Sequence, residues 1–173
     1  MIERMTWPAA EQIESRCLCL VPLEIDHAEQ MVEVLADRLL YQYTGGLPPT
    51  LEQLRRRYVA QAVGYSDDGT QGWLNWVVTL ASSHQAIGYV QATIQERDTV
   101  LEAEVAWVIA SDYQGQGMAT EAAATMVQWL QAHCVSRLVA HIHPEHASSA
   151  GVALNLGLHP TGVVEDGETR WQA

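Results

Sequence analysis

The sequence predicts a single domain of the α+β (mixed α/β) class, with a mostly antiparallel central sheet flanked by helices. Three observations carry this. Residues 73–110 hold three runs rich in Val, Ile, Trp and Tyr, separated by the turn-like pieces ASSHQ and ERDT, as in an antiparallel meander. On either side of that stretch the apolar residues recur at helical intervals. The length, 173 residues with 48% hydrophobic, suits one domain. A chain of this size buries roughly 70% of its unfolded surface, and so folds without disulfide or metal staples.

Each element has its own local signal. Residues 1–15 read as an irregular lead-in to a domain spanning 16–173. The run RCLCLVPL, residues 16–23, is apolar and closed by a proline, as a first strand would be. Asp26 with Glu29 has capping-box spacing, and Met31, Val34, Leu35 and Leu39 follow at helical intervals, predicting a helix over 27–40. YTGGLPPT is a loop by its Gly and Pro content, and Thr50 with Gln53 opens a second helix through LEQLRRRYVAQAV. Strands are expected over 73–80, 86–95 and 100–110, and a helix from Gly117 to about His133 with Ala119, Ala123, Met126, Val127 and Leu130 on one face. A strand over 137–143, a short helix over 148–156 and a hairpin turning at Asp166-Gly167 complete the order β-α-α-β-β-β-α-β-α-β-β.

Composition excludes several chemistries. Twenty-one acidic residues face nine basic ones, a formal net charge of −12, and every basic residue is Arg. Without lysine there is no Schiff-base chemistry and no Walker A phosphate loop. The acidic surface repels nucleic acid and anionic membranes and attracts cationic ligands. Three cysteines without CxxC spacing, Cys17, Cys19 and Cys134, point to a reducing compartment. The N-terminal stretch lacks an apolar h-region and no run approaches a membrane span, so a cytoplasmic location is expected.

The informative stretch is AWVIASDYQGQGMATEAAA, residues 106–124, where a strand passes through a glycine turn into a helix. Such a helix start offers unpaired N–H groups and the positive end of a macrodipole, which bind phosphate without a basic side chain. Gly115 and Gly117 let the backbone approach an anion closely, and Ala119 keeps the first turn slim. A dinucleotide fingerprint fits poorly: Thr120 stands where Gly or Ala belongs, and VAHIH lacks the acidic ribose ligand.

Gln114-Gly115-Gln116-Gly117-Met118-Ala119 resembles the Gln/Arg-x-x-Gly-x-Gly/Ala motif of the GNAT acyl-CoA N-acyltransferases. DYQGQGMATEA and PEHASSAGVALNLGL are similar to the ribosomal-protein N-terminal acetyltransferase branch, the RimJ/RimL type. The resemblance implies that Gln114, Gly115, Gln116, Gly117, Met118, Ala119 and Thr120 hold the pyrophosphate of acetyl-CoA. It also implies that Trp107, Val108 and Ile109 pair their backbone with the pantetheine arm.

Transfer to an amine needs a proton acceptor and a group facing the leaving thiolate. Glu102 and Glu104, two apart on a strand, share a face; this closeness is expected to raise at least one pKa, and Glu104 occupies the position where related enzymes carry a strand glutamate. The Tyr that many members place four residues before the Gly of the last helix is Ala153 here. The branch's Asn-x-x-Ser pattern reads His146-Ala147-Ser148-Ser149, which puts Ser149 against the thioester sulfur, or Ser148 or Ser149 as a helix cap, and His146 against the pantetheine amides. His141, His143 and His146 have a spacing that a zinc ion could use, but no obvious fourth ligand follows, and no metal is expected. Arg55-Arg56-Arg57 reads as a solvated helix face, with a contact to the 3′-phosphate of CoA as the other reading. The expected activity is direct acetyl transfer from acetyl-CoA to a small-molecule or peptide amine, with a non-catalytic acyl-CoA sensor or a dinucleotide-binding oxidoreductase as alternatives. Neither nucleic acid nor membrane is an expected partner, and the resemblance allows a homodimer.

Overall fold

The structure is a computed structural model and describes residues 7–173; the first six residues of the predicted lead-in lie outside the described residues. Its eight-stranded sheet contains β1 (Ile13–Glu14), β2 (Leu18–Pro22), β3 (Gln71–Leu80), β4 (Ala86–Arg97), β5 (Val100–Ile109), β6 (Val135–Ile142), β7 (His159–Glu165) and β8 (Glu168–Gln172). The spatial order is β1-β2-β3-β4-β5-β6-β8-β7, and every neighbouring pair is antiparallel except β5–β6. Parallel neighbours need a crossover. Helix α3 (Met118–Ala132) provides it, and α1 (Ala28–Val34), α2 (Leu51–Gln61) and α4 (Ala147–Asn155) complete the helices.

The meander forms as its sequence predicts, with β4 and β5 in continuous register and β3 paired to β4 with one register shift between Val78 and Thr79. Asp98 and Thr99, both at positive φ, make the two-residue turn between β4 and β5. The terminal hairpin turns at Asp166-Gly167, also both at positive φ. Helix α2 opens on the expected capping box: Thr50 Oγ1 accepts from the Gln53 amide and Gln53 Oε1 from the Thr50 amide.

Two local expectations fail. The first helix is cut short at Val34, and the capping box at its entry is Glu24 with His27, around a 3-10 turn (Ile25–His27) that leads into α1, rather than Asp26 with Glu29. Asp37 is the reason for the early end. It takes an extended conformation, accepts from the Leu39 amide to start a separate 3-10 turn (Arg38–Tyr41), and receives the Ser111 hydroxyl from beyond β5. The Ser111 hydroxyl and the Leu39 amide hold the Asp37 carboxyl below its ordinary pKa. The lead-in is also more ordered than predicted. Trp7, Ala10 and Ile13 pack on the core, and the Glu11 carbonyl accepts from buried Trp76 at 2.7 Å.

The two faces of the sheet carry different layers. On one, α3 and α4 cover Leu18, Trp76, Val90, Ala103 and Val105. The alanines Ala122 and Ala123, fully buried, bring α3 close to the sheet. On the other, Met31 and Leu35 of the α1 segment and Leu54 and Tyr58 of α2 close over Val77 and Ala86. Full burial of each such side chain contributes about 1.5–3 kcal/mol. Among the described residues no helix is long and apolar enough to cross a membrane.

Candidate functional site

The β5–β6 pair is incomplete, and that defines the site. Pairing runs from Leu101↔Val135 to Glu104↔Val139 and then stops, although both strands continue. Beyond that point β5 stays paired to β4 as far as Ile109↔Gly88, and β6 stays paired to β8 as far as Ile142↔Thr169. The strands therefore splay, leaving a β5 edge at Trp107, Val108 and Ile109 inside the sheet. The groove that opens there has a volume of about 660 Å³ and is lined by β5, the 114–120 turn, β6 and α4. Its size falls in the roughly 300–1,000 Å³ range of ligand and cofactor pockets.

The glycine turn closes one end. Gly115 (φ 73°) and Gly117 (φ 78°) both occupy the left-handed region, where an L side chain is strained, so the turn favours glycine at both positions. Gly117 is the N-cap of α3 and no side chain caps that end. Among the described residues no acceptor meets the amides of Gly115, Gln116, Gly117, Met118, Ala119 or Thr120. Gln114 pins the turn by donating its side-chain amide to the Ile109 carbonyl at 2.8 Å. No arginine lines the groove. An anion placed at this turn would meet main-chain amides and a helix dipole, with no arginine beside them. Glu121 serves elsewhere, accepting from Ser15 Oγ and the Cys17 amide, both at 2.7 Å.

Glu102 and Glu104 share a face as predicted, but their surroundings differ sharply. The Glu102 side chain is 3% exposed and meets Arg137 and Arg170 at 3.4 Å and Arg97 at 3.6 Å. That carboxylate is locked in an arginine cluster, which removes it as a candidate base. Glu104 is 52% exposed, its Oε1 lying 3.0 Å from His141 Nδ1.

Helix α4 starts one residue earlier than predicted, and its cap is His146 rather than Ser148 or Ser149. His146 Nδ1 accepts from the Ser149 amide at 3.4 Å, and Nε2 lies 3.2 Å from Ser149 Oγ. Its ring lines the groove while its nitrogens turn to α4, instead of toward the groove as expected. Because Nδ1 accepts, Nε2–H donates to Ser149 Oγ, leaving the Ser149 proton free to point elsewhere. Burial, reinforced by nearby His143, lowers the His146 pKa below the usual imidazole value. Ala153 is fully buried and supplies no hydroxyl.

The histidines do not gather: His141 lies between Glu104 and Glu165, His143 accepts from the Glu145 amide, and His146 caps α4. Arg55 and Arg56 pair with Glu29 and Glu52 on the exposed surface of α2. Sequence reading missed the tyrosines. Tyr43, in the loop before α2, stacks on His146 with ring centroids 4.4 Å apart, and Tyr89 and Tyr113 also line the groove. Burial raises the Tyr89 pKa further above its ordinary value. The only cue for Tyr43 is an aromatic residue just ahead of the Gly45-Gly46 turn.

Comparison with known proteins bears on this geometry. Residues 17–159 match the family model described as an acetyltransferase (GNAT) domain. Among solved structures, ribosomal-protein-S5-alanine acetyltransferase from Vibrio fischeri superposes with a TM-score of 0.77 at 19% identity, covering 95% of this chain and 96% of that one. Aminoglycoside acetyltransferase AAC(6′)-Ib in complex with coenzyme A gives 0.74 at 16% identity, covering 90% and 94%. RimL, a ribosomal L7/L12 α-N-protein acetyltransferase in complex with coenzyme A, gives 0.74 at 15%, covering 94% and 97%. A comparison with curated proteins finds no significant match. The likeness to solved structures at these identities is one of fold, and the family model covers most of the sequence: the chain belongs to the GNAT acetyltransferase family.

Proposed function

We propose that this acetyltransferase moves an acetyl group from acetyl-CoA to a primary amine by direct attack in a ternary complex. One observation carries the reading: a splayed strand pair opens onto six consecutive amides without acceptors at the start of α3. Gln114, Gly115, Gln116, Gly117, Met118, Ala119 and Thr120 form the pyrophosphate cradle. Hydrogen bonds to a charged acceptor contribute about 1.5–3 kcal/mol each, so a few amides suffice without arginine. Trp107, Val108 and Ile109 offer their strand edge to the pantetheine arm, the Ile109 carbonyl being already engaged by Gln114. The bound acetyl-CoA supplies an activated thioester; the chain supplies position and proton handling.

Glu104 takes the ammonium proton, since it is the half-exposed carboxylate on the last β5–β6 pair, where the splay begins. Ser149, oriented by His146, turns its hydroxyl hydrogen toward the sulfur. As the C–S bond breaks it passes that proton to the thiolate and regains one from the acylated nitrogen, leaving CoA thiol and a neutral amide. The acceptor is cationic, in keeping with the net charge of −12 and with Glu168 as the charged group lining the groove. A protein N-terminus, a polyamine and an aminoglycoside are the classes proposed, the first and last being those named for the structural neighbours. The free cysteines fit a reducing cytoplasm.

The test is a panel of spermidine, kanamycin and an alanine-initiated hexapeptide with acetyl-CoA, reading thiol release. Release with one of these amines, reduced at least tenfold in Glu104→Gln with unchanged CoA affinity, is the expected result. CoA binding with no release from any primary amine would instead favour an acyl-CoA sensor.

A further inference from the structure

On the sheet face opposite α3, a histidine bridges three separate strands. His141 lies on β6 two residues beyond the last β5–β6 pair, opposite Arg170 of β8 in register. Its Nδ1 is 3.0 Å from Glu104 Oε1 on β5, and its Nε2 is 3.2 Å from Glu165 Oε2 on β7. The imidazole therefore spans the splay and reaches the terminal hairpin.

The two ends are not equivalent. The Glu104 contact has hydrogen-bond geometry, and an ionised carboxylate can only accept, so Nδ1 carries the proton. Nε2 is buried and has no aligned hydrogen-bond partner, the Glu165 carboxylate being near but off-axis. Exposure differs as well. The Glu104 side chain is 52% exposed, whereas His141 is 17% exposed and packed between β5 and β8. A long carboxylate side chain at the surface samples several rotamers, and fixing it costs up to about 2 kcal/mol of entropy. A bond from a fixed imidazole removes that freedom at one oxygen and leaves the other for an acceptor.

We infer that His141 is the positioning residue of the acyl-transfer site, holding the Glu104 carboxylate through Nδ1–H while facing the terminal hairpin through Nε2. This rests on the proposed role of Glu104 as proton acceptor. The charged groups around the ring are Glu104 from β5, Glu165 from β7, and Arg170 and Glu168 from β8; Arg170 is engaged by Glu102 at 3.4 Å. No proton passes through His141. The ammonium proton goes to Glu104 and from there to water, and the Nδ1 proton stays in place.

Asparagine and glutamine separate the two ends, because Asn places its amide nitrogen near the Nδ1 position and Gln near the Nε2 position. With the best amine of the panel, His141→Asn is expected to keep kcat within about threefold. His141→Gln is expected to lose about 10- to 100-fold in kcat, the scale of a base displaced by about 1 Å, with a smaller change in the amine KM. Both variants should bind CoA like the wild type in calorimetry. Nitrogen-15 spectra of the unmodified protein, which need no acceptor, should show the Nδ1–H tautomer at His141. Equal kcat for the two variants, or an Nε2–H tautomer, would overturn the inference. If Glu104→Gln is slow while the two His141 variants are equally fast, only the role of His141 falls. If Glu104→Gln turns over normally, the base assignment falls with it.

Discussion

Gly88 offers a sharp probe of the splayed edge. It pairs with Ile109 across β4 and β5, and a Cβ built there would lie 2.1 Å from the Val108 carbonyl oxygen, 2.9 Å from Ile109 Cδ1 and 3.0 Å from Ile109 Cα. Ordinary contact begins at 3.4 Å, and the nearest atom is backbone, so Gly88→Ala forces β5 to retreat by about 1 Å. Overpacking of this kind costs about 1–3 kcal/mol, or a fall in Tm of roughly 2–12 °C for a chain this long. The retreat moves the Val108–Ile109 peptide, the proposed partner of the pantetheine arm. Losing one or two hydrogen bonds there weakens CoA binding by about tenfold, and a displacement near 1 Å lowers turnover by up to about 100-fold. Gly72→Ala is the control, because its Cβ would meet the Trp7 ring at 2.7 Å, away from the groove. It should lower Tm and leave CoA affinity untouched. Calorimetric titration with CoA and thermal unfolding of both variants decide the matter. Wild-type CoA affinity in a destabilised Gly88→Ala protein would refute the assignment of this edge.

The other expectations concern the turn, the arginine cluster and pH. Gly117→Val places a β-branched residue at φ 78°, which costs at least about 1–2 kcal/mol and re-aims the α3 amides, so CoA affinity should fall at least tenfold by calorimetry. Glu102→Gln leaves Arg137 and Arg170 facing a neutral group. Both arginines keep some solvent, so the loss should be about 2–3 kcal/mol in urea unfolding, below the roughly 3–5 kcal/mol of a wholly buried pair. The His146 pKa is lowered in the folded chain, so the neutral ring is favoured by folding, and its stabilisation is complete above about pH 6.5. That contribution is lost as pH falls through the depressed folded value, when Nδ1 can no longer accept from the Ser149 amide. Thermal unfolding of His146→Asn, which keeps a capping oxygen that does not titrate here, should show a weaker decline on acidification than the wild type.

What could be read from the sequence is what depends on neighbours along the chain. The meander follows from alternating apolar runs and short turns, α2 from the Thr50–Gln53 box, and the strand-to-helix turn from Gly115 and Gly117 before an alanine-rich helix. What could not be read depends on partners that the sheet order brings together. The arginines around Glu102 come from β4, β6 and β8, and nothing near Glu102 in sequence announces them. Tyr43 meets His146 across more than a hundred residues, and Asp37 ends α1 through a hydroxyl beyond β5. The opening between β5 and β6 is likewise invisible, since the apolar pattern of both strands runs on past their last shared pair.

The central claim is that an anionic cofactor docks on main-chain amides alone. Its most direct measurement is a CoA titration of nitrogen-15-labelled protein, following the amide resonances of Gly115, Gln116, Gly117, Met118, Ala119 and Thr120. Saturable shifts concentrated in these six amides, with smaller ones along Trp107, Val108 and Ile109, are the predicted result. CoA binding that leaves the six amides unmoved, or saturable binding of NAD(H) in place of CoA, would contradict it.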